Sequence, residues 1–148
     1  MLAIPGHTLG AIAYVGGGAA FTGDTLFVVG CGWVFEGTMS MMRVSFEWLR
    51  ALLRETRIWC GHEYTQKNLE FALVVEPQEV AIRARLDAVV AMRAEGRPTV
   101  PSTIAEEVAT NPFLRWDCSA VRAYAASRGP AEDDDEVFAQ IRAAKDSY

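Results

Sequence analysis

The sequence holds only two histidines, and each directly follows a glycine, in Pro5-Gly6-His7-Thr8 and in Cys60-Gly61-His62-Glu63. Glycine lets a backbone turn sharply at the end of a strand, so the next side chain can point into a shared cleft. Asp24, in Thr22-Gly23-Asp24-Thr25, repeats the arrangement with a carboxylate. Two imidazoles and a carboxylate on loops at one sheet edge suit zinc, which accepts His nitrogen and Asp oxygen. A catalytic zinc takes three protein ligands and leaves a position for water, so a two-metal site needs more donors than His7, Asp24 and His62 supply. Taken singly, each histidine reads more readily as a hydrogen-bonded structural or surface residue, and Asp24 as a turn former.

The elements that must position these residues are short. Apolar runs over 12–15 and 19–22 flank Gly16-Gly17-Gly18 and predict a β-hairpin. Residues 26–29 suggest a further short strand or a buried loop. Met42, Phe46, Leu49 and Leu53 recur at helical spacing, which predicts an amphipathic helix over about 39–54 capped by Thr38. Residues 57–60 are β-branched and aromatic and read as a strand that delivers His62 at its end. Beyond it the pattern turns helical, over 66–75, 77–95, 103–110, 117–128 and 132–146, with breaks at Glu76-Pro77, Gly96-Arg97-Pro98, Asn111-Pro112 and Gly129-Pro130. Thr103 and Glu106 have capping-box spacing, and the acids from Glu132 to Glu136 suit a helix start. We expect two domains, over 1–70 and 71–148.

At 148 residues and 51% hydrophobic, the chain can bury a core and offers no stretch that would span a membrane. A net charge of -5 argues against partners held by bulk positive charge, whether nucleic acid or an anionic membrane. Cys31, Cys60 and Cys118 are odd in number, widely spaced and without a C-x-x-C pair, which suggests reduced thiols that pack. The opening Met1-Leu2-Ala3-Ile4-Pro5 lacks the features of a signal peptide, so a cytoplasmic location is expected.

Read together, several segments resemble glyoxalase II, the hydroxyacylglutathione hydrolases of the metallo-β-lactamase superfamily. They are Pro5-Gly6-His7-Thr8, Phe21-Thr22-Gly23-Asp24-Thr25-Leu26-Phe27, Gly30-Cys31-Gly32, Phe35-Glu36-Gly37-Thr38 and Cys60-Gly61-His62-Glu63-Tyr64-Thr65. Asn68-Leu69-Glu70-Phe71-Ala72, Val75-Glu76-Pro77, Pro98-Thr99-Val100-Pro101-Ser102-Thr103 and Asn111-Pro112-Phe113 continue the match. The first His, the Asp and the last His are shared with other metallo-β-lactamase-fold enzymes. The Pro98–Thr103 run and the helical tail are more particular to glyoxalase II, and the long helical tail disfavours a persulfide dioxygenase or another hydrolase of that fold.

The resemblance implies an α+β chain: the C-terminal part of a metallo-β-lactamase-type αββα sandwich, followed by an all-helical glutathione-binding domain. It implies a binuclear site, with zinc first and iron or manganese as alternatives, in which His7 ligates one metal, His62 the other, and Asp24 bridges both as the catalytic carboxylate. The remaining ligands would come from an upstream Thr-His-x-His-x-Asp-His motif. These 148 residues contain no such motif, so the expectation is a C-terminal portion. The reaction implied is hydrolysis of S-lactoylglutathione to D-lactate and glutathione, a step of methylglyoxal detoxification, by a metal-bound hydroxide formed from water with a pKa near ~7. Tyr64, Arg142 and Lys145 match the residues that contact glutathione, and the complete enzyme is expected to be a monomer that takes a small-molecule thioester. Trp33 stands where the family commonly has Lys or Arg, and Ala11 where it usually has a second, non-ligating His. A second expectation is a non-catalytic fragment or glutathione-binding module unable to hold two metals. Removing part of a sandwich also leaves apolar sheet surface uncovered, so the chain is expected to aggregate or to associate with a complementary segment.

Overall fold

The computed structural model describes all 148 residues. Strands β2 (Ile12–Gly16) and β3 (Ala19–Gly23) form the hairpin expected from the glycine run, paired Gly16 to Ala19 across a two-residue turn. Gly17 and Gly18 both have positive φ, 58° and 72°, the combination that matches the twist of flanking strands. Strand β1 (Leu2–Ala3) adds to the free side of β2. Strands β4 (Leu26–Phe27) and β5 (Gly30–Cys31) make a separate small hairpin.

Helix α1 (Met39–Arg50) then carries the chain across to β6 (Arg57–Cys60), which pairs parallel with β3. Strand β7 (Ser102–Thr103) closes the five-stranded sheet antiparallel to β6, in the order β1-β2-β3-β6-β7. Thr38 caps α1 by accepting from the Met41 N–H, as expected. The helix ends at Arg50 instead of near residue 54, because the chain must turn back for the Arg57 N–H to reach Gly18 O and start β6. Leu53 therefore leaves the apolar stripe and is 71% exposed.

The helical half comprises α2 (Thr65–Val75), α3 (Val80–Ala94), α4 (Ile104–Thr110), a 3₁₀ turn at Pro112–Leu114, α5 (Ser119–Ala126) and α6 (Asp134–Asp146). Each expected helix is present, with starts trimmed where a capping residue intervenes: Glu79 before α3 and Asp133 before α6. The Thr103–Glu106 capping box forms in both directions. The α+β class is as expected.

The main core lies between one sheet face and α1, where Ala13, Ala20 and Ile58 meet Met42, Phe46 and Leu49. It continues through Phe113 to Val137, Phe138 and Ile141 of α6, so this core crosses residue 70. A smaller cluster joins Val28 and Val29 to Leu69, Ala72, Ile82 and Val89. The other sheet face carries Ile12, Tyr14, Phe21 and Trp59 in the open, with Phe21 stacked on Trp59. No helix is long and apolar enough to cross a membrane.

Candidate metal-binding site

Sheet topology brings the three donors together. Strands β3 and β6 run parallel, so their C-terminal ends share one edge, and Asp24 and His62 follow those ends. Because β2 runs antiparallel to β3, the loop before β2 comes to the same edge, and that loop carries His7. The Gly61 N–H donates to Gly23 O at 2.8 Å and locks the two turns side by side.

Both imidazoles face the same carboxylate oxygen. His62 Nε2 lies 3.5 Å from Asp24 Oδ2, and His7 Nε2 lies 4.0 Å from it. His7 Nδ1 is 2.8 Å from the Trp33 carbonyl, which can only accept, so Nδ1 carries the proton and donates it. Nε2 is then the ring nitrogen turned toward the carboxylate, and a cation held between the two would find a nitrogen and an oxygen ligand there. The packing also excludes bulk beside the carboxylate. A Cβ on Gly61 would sit 2.2 Å from Asp24 Oδ1, and one on Gly32 would sit 1.8 Å from Asp24 O, so both glycines are needed for this close approach.

The donor types fit divalent zinc, iron or manganese, and the arrangement is two His–Asp pairs sharing Asp24. No group of three or more His, Cys, Asp or Glu side chains is placed to hold one ion. The residues thus fit as part of a two-metal site and fall short of the three protein ligands usual for each catalytic metal.

Each histidine ring has aromatic neighbours. Trp33 stacks on Phe35, which lies 5.1 Å from the His7 ring. His62 stacks on Tyr64 at 5.2 Å, and Phe27 packs its ring against both. Trp33 is thus an exposed, packed aromatic whose carbonyl orients a histidine. Ala11 packs against the main core and accepts from Ile4 through its carbonyl.

Arg142 and Lys145 lie in the last turns of α6 and differ in role. Arg142 is 3% exposed; it donates to Cys31 O, pairs with Asp146 at 2.8 Å, and lies over the Phe113 ring. Its guanidinium therefore ties α6 to the β4–β5 hairpin. Lys145 is half-buried over Phe71 and Tyr148. Burial first, then the Arg142 and Lys67 charges, pull its pKa down to about 8. Tyr64 is half-exposed beside His62.

Three supporting residues escape a reading of sequence alone. The Trp33 contribution is a backbone carbonyl, which residue type cannot reveal. Phe27 is indistinguishable from ordinary core in an apolar run. Glu63 Oε1 accepts from the Thr99 N–H at 2.5 Å and the Thr99 hydroxyl at 2.8 Å, and Oε2 pairs with Arg93 at 3.1 Å. Those Thr99 bonds, chiefly the N–H, and then the Arg93 charge hold the carboxyl below its ordinary pKa. Cys31 is fully buried, which pushes its thiol up to about 12, the mark of a packed and unreactive cysteine.

The model of the hydroxyacylglutathione hydrolase C-terminus matches residues 63–148, more than half of the chain. Over the whole chain the sequence is 50% identical to a hydroxyacylglutathione hydrolase of Synechococcus sp. and 49% identical to one of Methylobacillus flagellatus. Over 99% of the chain it is 52% identical to that of Halorhodospira halophila. In each case it spans 58% of the relative's length. Among solved structures, ETHE1 from Myxococcus xanthus superposes with a TM-score of 0.54 at 26% identity, over 95% of this chain and 43% of that one, in keeping with a metallo-β-lactamase-type fold. With its helical half matched from residue 63 to residue 148, this chain belongs to the hydroxyacylglutathione hydrolase family.

Proposed function

We propose that the chain forms part of a glutathione thioester hydrolase that converts S-lactoylglutathione to D-lactate and glutathione. The observation that carries this reading is the convergence of His7 and His62 on one oxygen of Asp24. When bound, two divalent ions would supply Lewis acidity, making water nucleophilic at neutral pH and polarising the thioester carbonyl.

The chain's own residues prepare that chemistry. His7, held by the Trp33 carbonyl, would serve one ion and His62 the other, with Asp24 shared between them. The Trp33–Phe35 and Phe27–Tyr64 ring pairs beside the two histidines would offer apolar surface to a bound substrate. Tyr64 and Lys145 would contact the glutathione part, while Arg142 would keep α6 against the hairpin that bears Cys31. A thiolate leaves readily, so no strong general acid is required, and the buried Cys31 thiol takes no part.

A second reading follows from the donor count: two ligands per ion favour a chain that binds the substrate's glutathione portion without turning it over. One experiment separates the two. The purified chain, loaded with zinc, iron or manganese, is assayed for metal content and for loss of S-lactoylglutathione, and titrated calorimetrically with glutathione. The hydrolase reading expects stoichiometric metal that Asp24→Ala abolishes, together with turnover. Saturable glutathione binding without metal or turnover would establish the binding module, and neither signal would refute both.

A further inference from the structure

The loop between β6 and α2 carries two site residues yet has few constraints of its own. No backbone N–H of His62, Glu63 or Tyr64 finds a backbone acceptor. The loop is fixed at its start by the Gly61 N–H to Gly23 O and near its end by the Asn68 N–H to Tyr64 O. Between these points the Cys60 thiol, a weak donor, reaches His62 O at 3.3 Å. The strong tether is Glu63. Its side chain reaches Thr99 and, on α3, Arg93.

The hydrogen bonds there form an ordered chain. Thr99 Oγ1 lies 2.8 Å from Glu63 Oε1 and 2.7 Å from Thr65 Oγ1. A hydroxyl has one proton, and the carboxylate can only accept, so Thr99 donates to Glu63 and Thr65 donates to Thr99. Thr65 and Thr99 are both buried, so the hydroxyl end of the chain is shielded from competing water. Glu63 is thus held by two donors of Thr99 and by the Arg93 guanidinium, from segments thirty or more residues downstream.

We propose that Glu63 is a positioning residue: anchored to Thr99 and Arg93, it sets the Gly61–Tyr64 loop so that His62 faces Asp24 while Tyr64 stacks against His62. The proposal rests on the metal reading above for its functional meaning, and it adds a route by which the helical half governs a donor on the sheet edge. His7 provides an internal control, because it is held by Trp33 on another loop.

The test compares the 148-residue chain with Glu63→Ala, Glu63→Gln and Thr99→Val, using ¹⁵N relaxation, imidazole spectra, cobalt(II) titration and circular dichroism for folding. Only two imidazoles are present, so one His7→Gln spectrum assigns both. In Glu63→Ala the His62 and Tyr64 amide order parameters should fall from about 0.85 to below about 0.6. His62 ring signals should move as the Tyr64 stack opens, while those of His7 stay in place. Cobalt affinity should fall about tenfold, as for loss of a residue that orients a ligand. Glu63→Gln keeps an acceptor for Thr99 and should recover most of the order. Should Glu63→Ala fail to fold, Thr99→Val carries the same expectation in weaker form. An unchanged His62 in a folded variant overturns the proposal, and so does equal movement of both imidazoles, which would mean a general loss of structure. A wild-type chain that binds no cobalt refutes the metal reading, while the loop measurements still decide the role of Glu63.

Discussion

Replacing Glu107 should cost more stability than any exposed charge, because this carboxylate is fully buried and both oxygens are doubly engaged. One oxygen accepts from the Val29 N–H at 2.7 Å and Asn111 Nδ2 at 3.0 Å, the other from Ser102 Oγ at 2.6 Å and Arg85 Nη2 at 3.0 Å. Summing four charge-assisted bonds at about 1.5–3 kcal/mol each would overshoot, since the freed donors bind water in the unfolded chain. The better guide is a broken buried ion pair, at about 3–5 kcal/mol, with Arg85 left largely buried and without its carboxylate. With a urea m-value near 2 kcal/mol/M, the Glu107→Ala midpoint should fall by roughly 1.5–2.5 M. Glu107→Gln should also destabilise, because the amide must aim its N–H₂ at donors on one side or the other. The loss should reach the site, since Val29 belongs to the turn of the β4–β5 hairpin that carries Phe27. Val29 has a left-handed φ of 57°, unusual for a β-branched residue, so its anchor matters more. Urea unfolding followed by tryptophan fluorescence gives the midpoint, and hydrogen exchange reports on the Leu26–Cys31 amides. A Glu107→Ala midpoint within about 0.3 M of wild type would refute this reasoning, as that shift lies inside ordinary surface-substitution effects.

Three further outcomes are expected. Lys145 has a pKa of about 8 against an ordinary 10.5, so the folded state releases its proton first; stability relative to Lys145→Met should rise as pH increases from about 8 to 10.5, and a flat difference in thermal midpoint would contradict the burial argument. Below about 8 the cost of burying the charged lysine is fully present, which fixes the sign. In the native state at neutral pH, Cys31 should be alkylated last of the three cysteines, its thiol being fully buried and shifted to about 12, and mass spectrometry showing it modified first would overturn that order. The open sheet face with Tyr14, Phe21 and Trp59 should drive concentration-dependent association that Phe21→Lys reduces, whereas a wild-type chain that light scattering finds monodisperse at high concentration would count against it.

Much of the architecture was legible locally. The glycine run announced the β2–β3 turn, Thr38 and the Thr103–Glu106 pair announced helix starts, and Gly61-His62 announced a donor at a strand end. The candidate donors stood out by residue type, because histidine is so scarce here, while their reading as metal ligands came from the resemblance. What stayed hidden depends on contacts distant in sequence. Nothing local says that β3 pairs parallel with β6, yet that pairing puts Asp24 beside His62. Arg142 and Lys145 stand three residues apart, and Arg142 lies one turn beyond Phe138 on the stripe that packs inward. That spacing was available as a signal; its partner, a backbone carbonyl of Cys31, was not.

The parallel pairing of β3 with β6 also bears on the order in which the molecule assembles. Hairpins and single helices close short loops and can form early, but β3 meets β6 only after the intervening segment, α1 included, has folded back. Non-local pairings of this kind pay their loop-closure entropy before any contact repays it, and they slow folding. Asp24 and His62 should therefore become neighbours late, so that ion capture by this chain would report completion of the native sheet and would be silent in any collapsed intermediate.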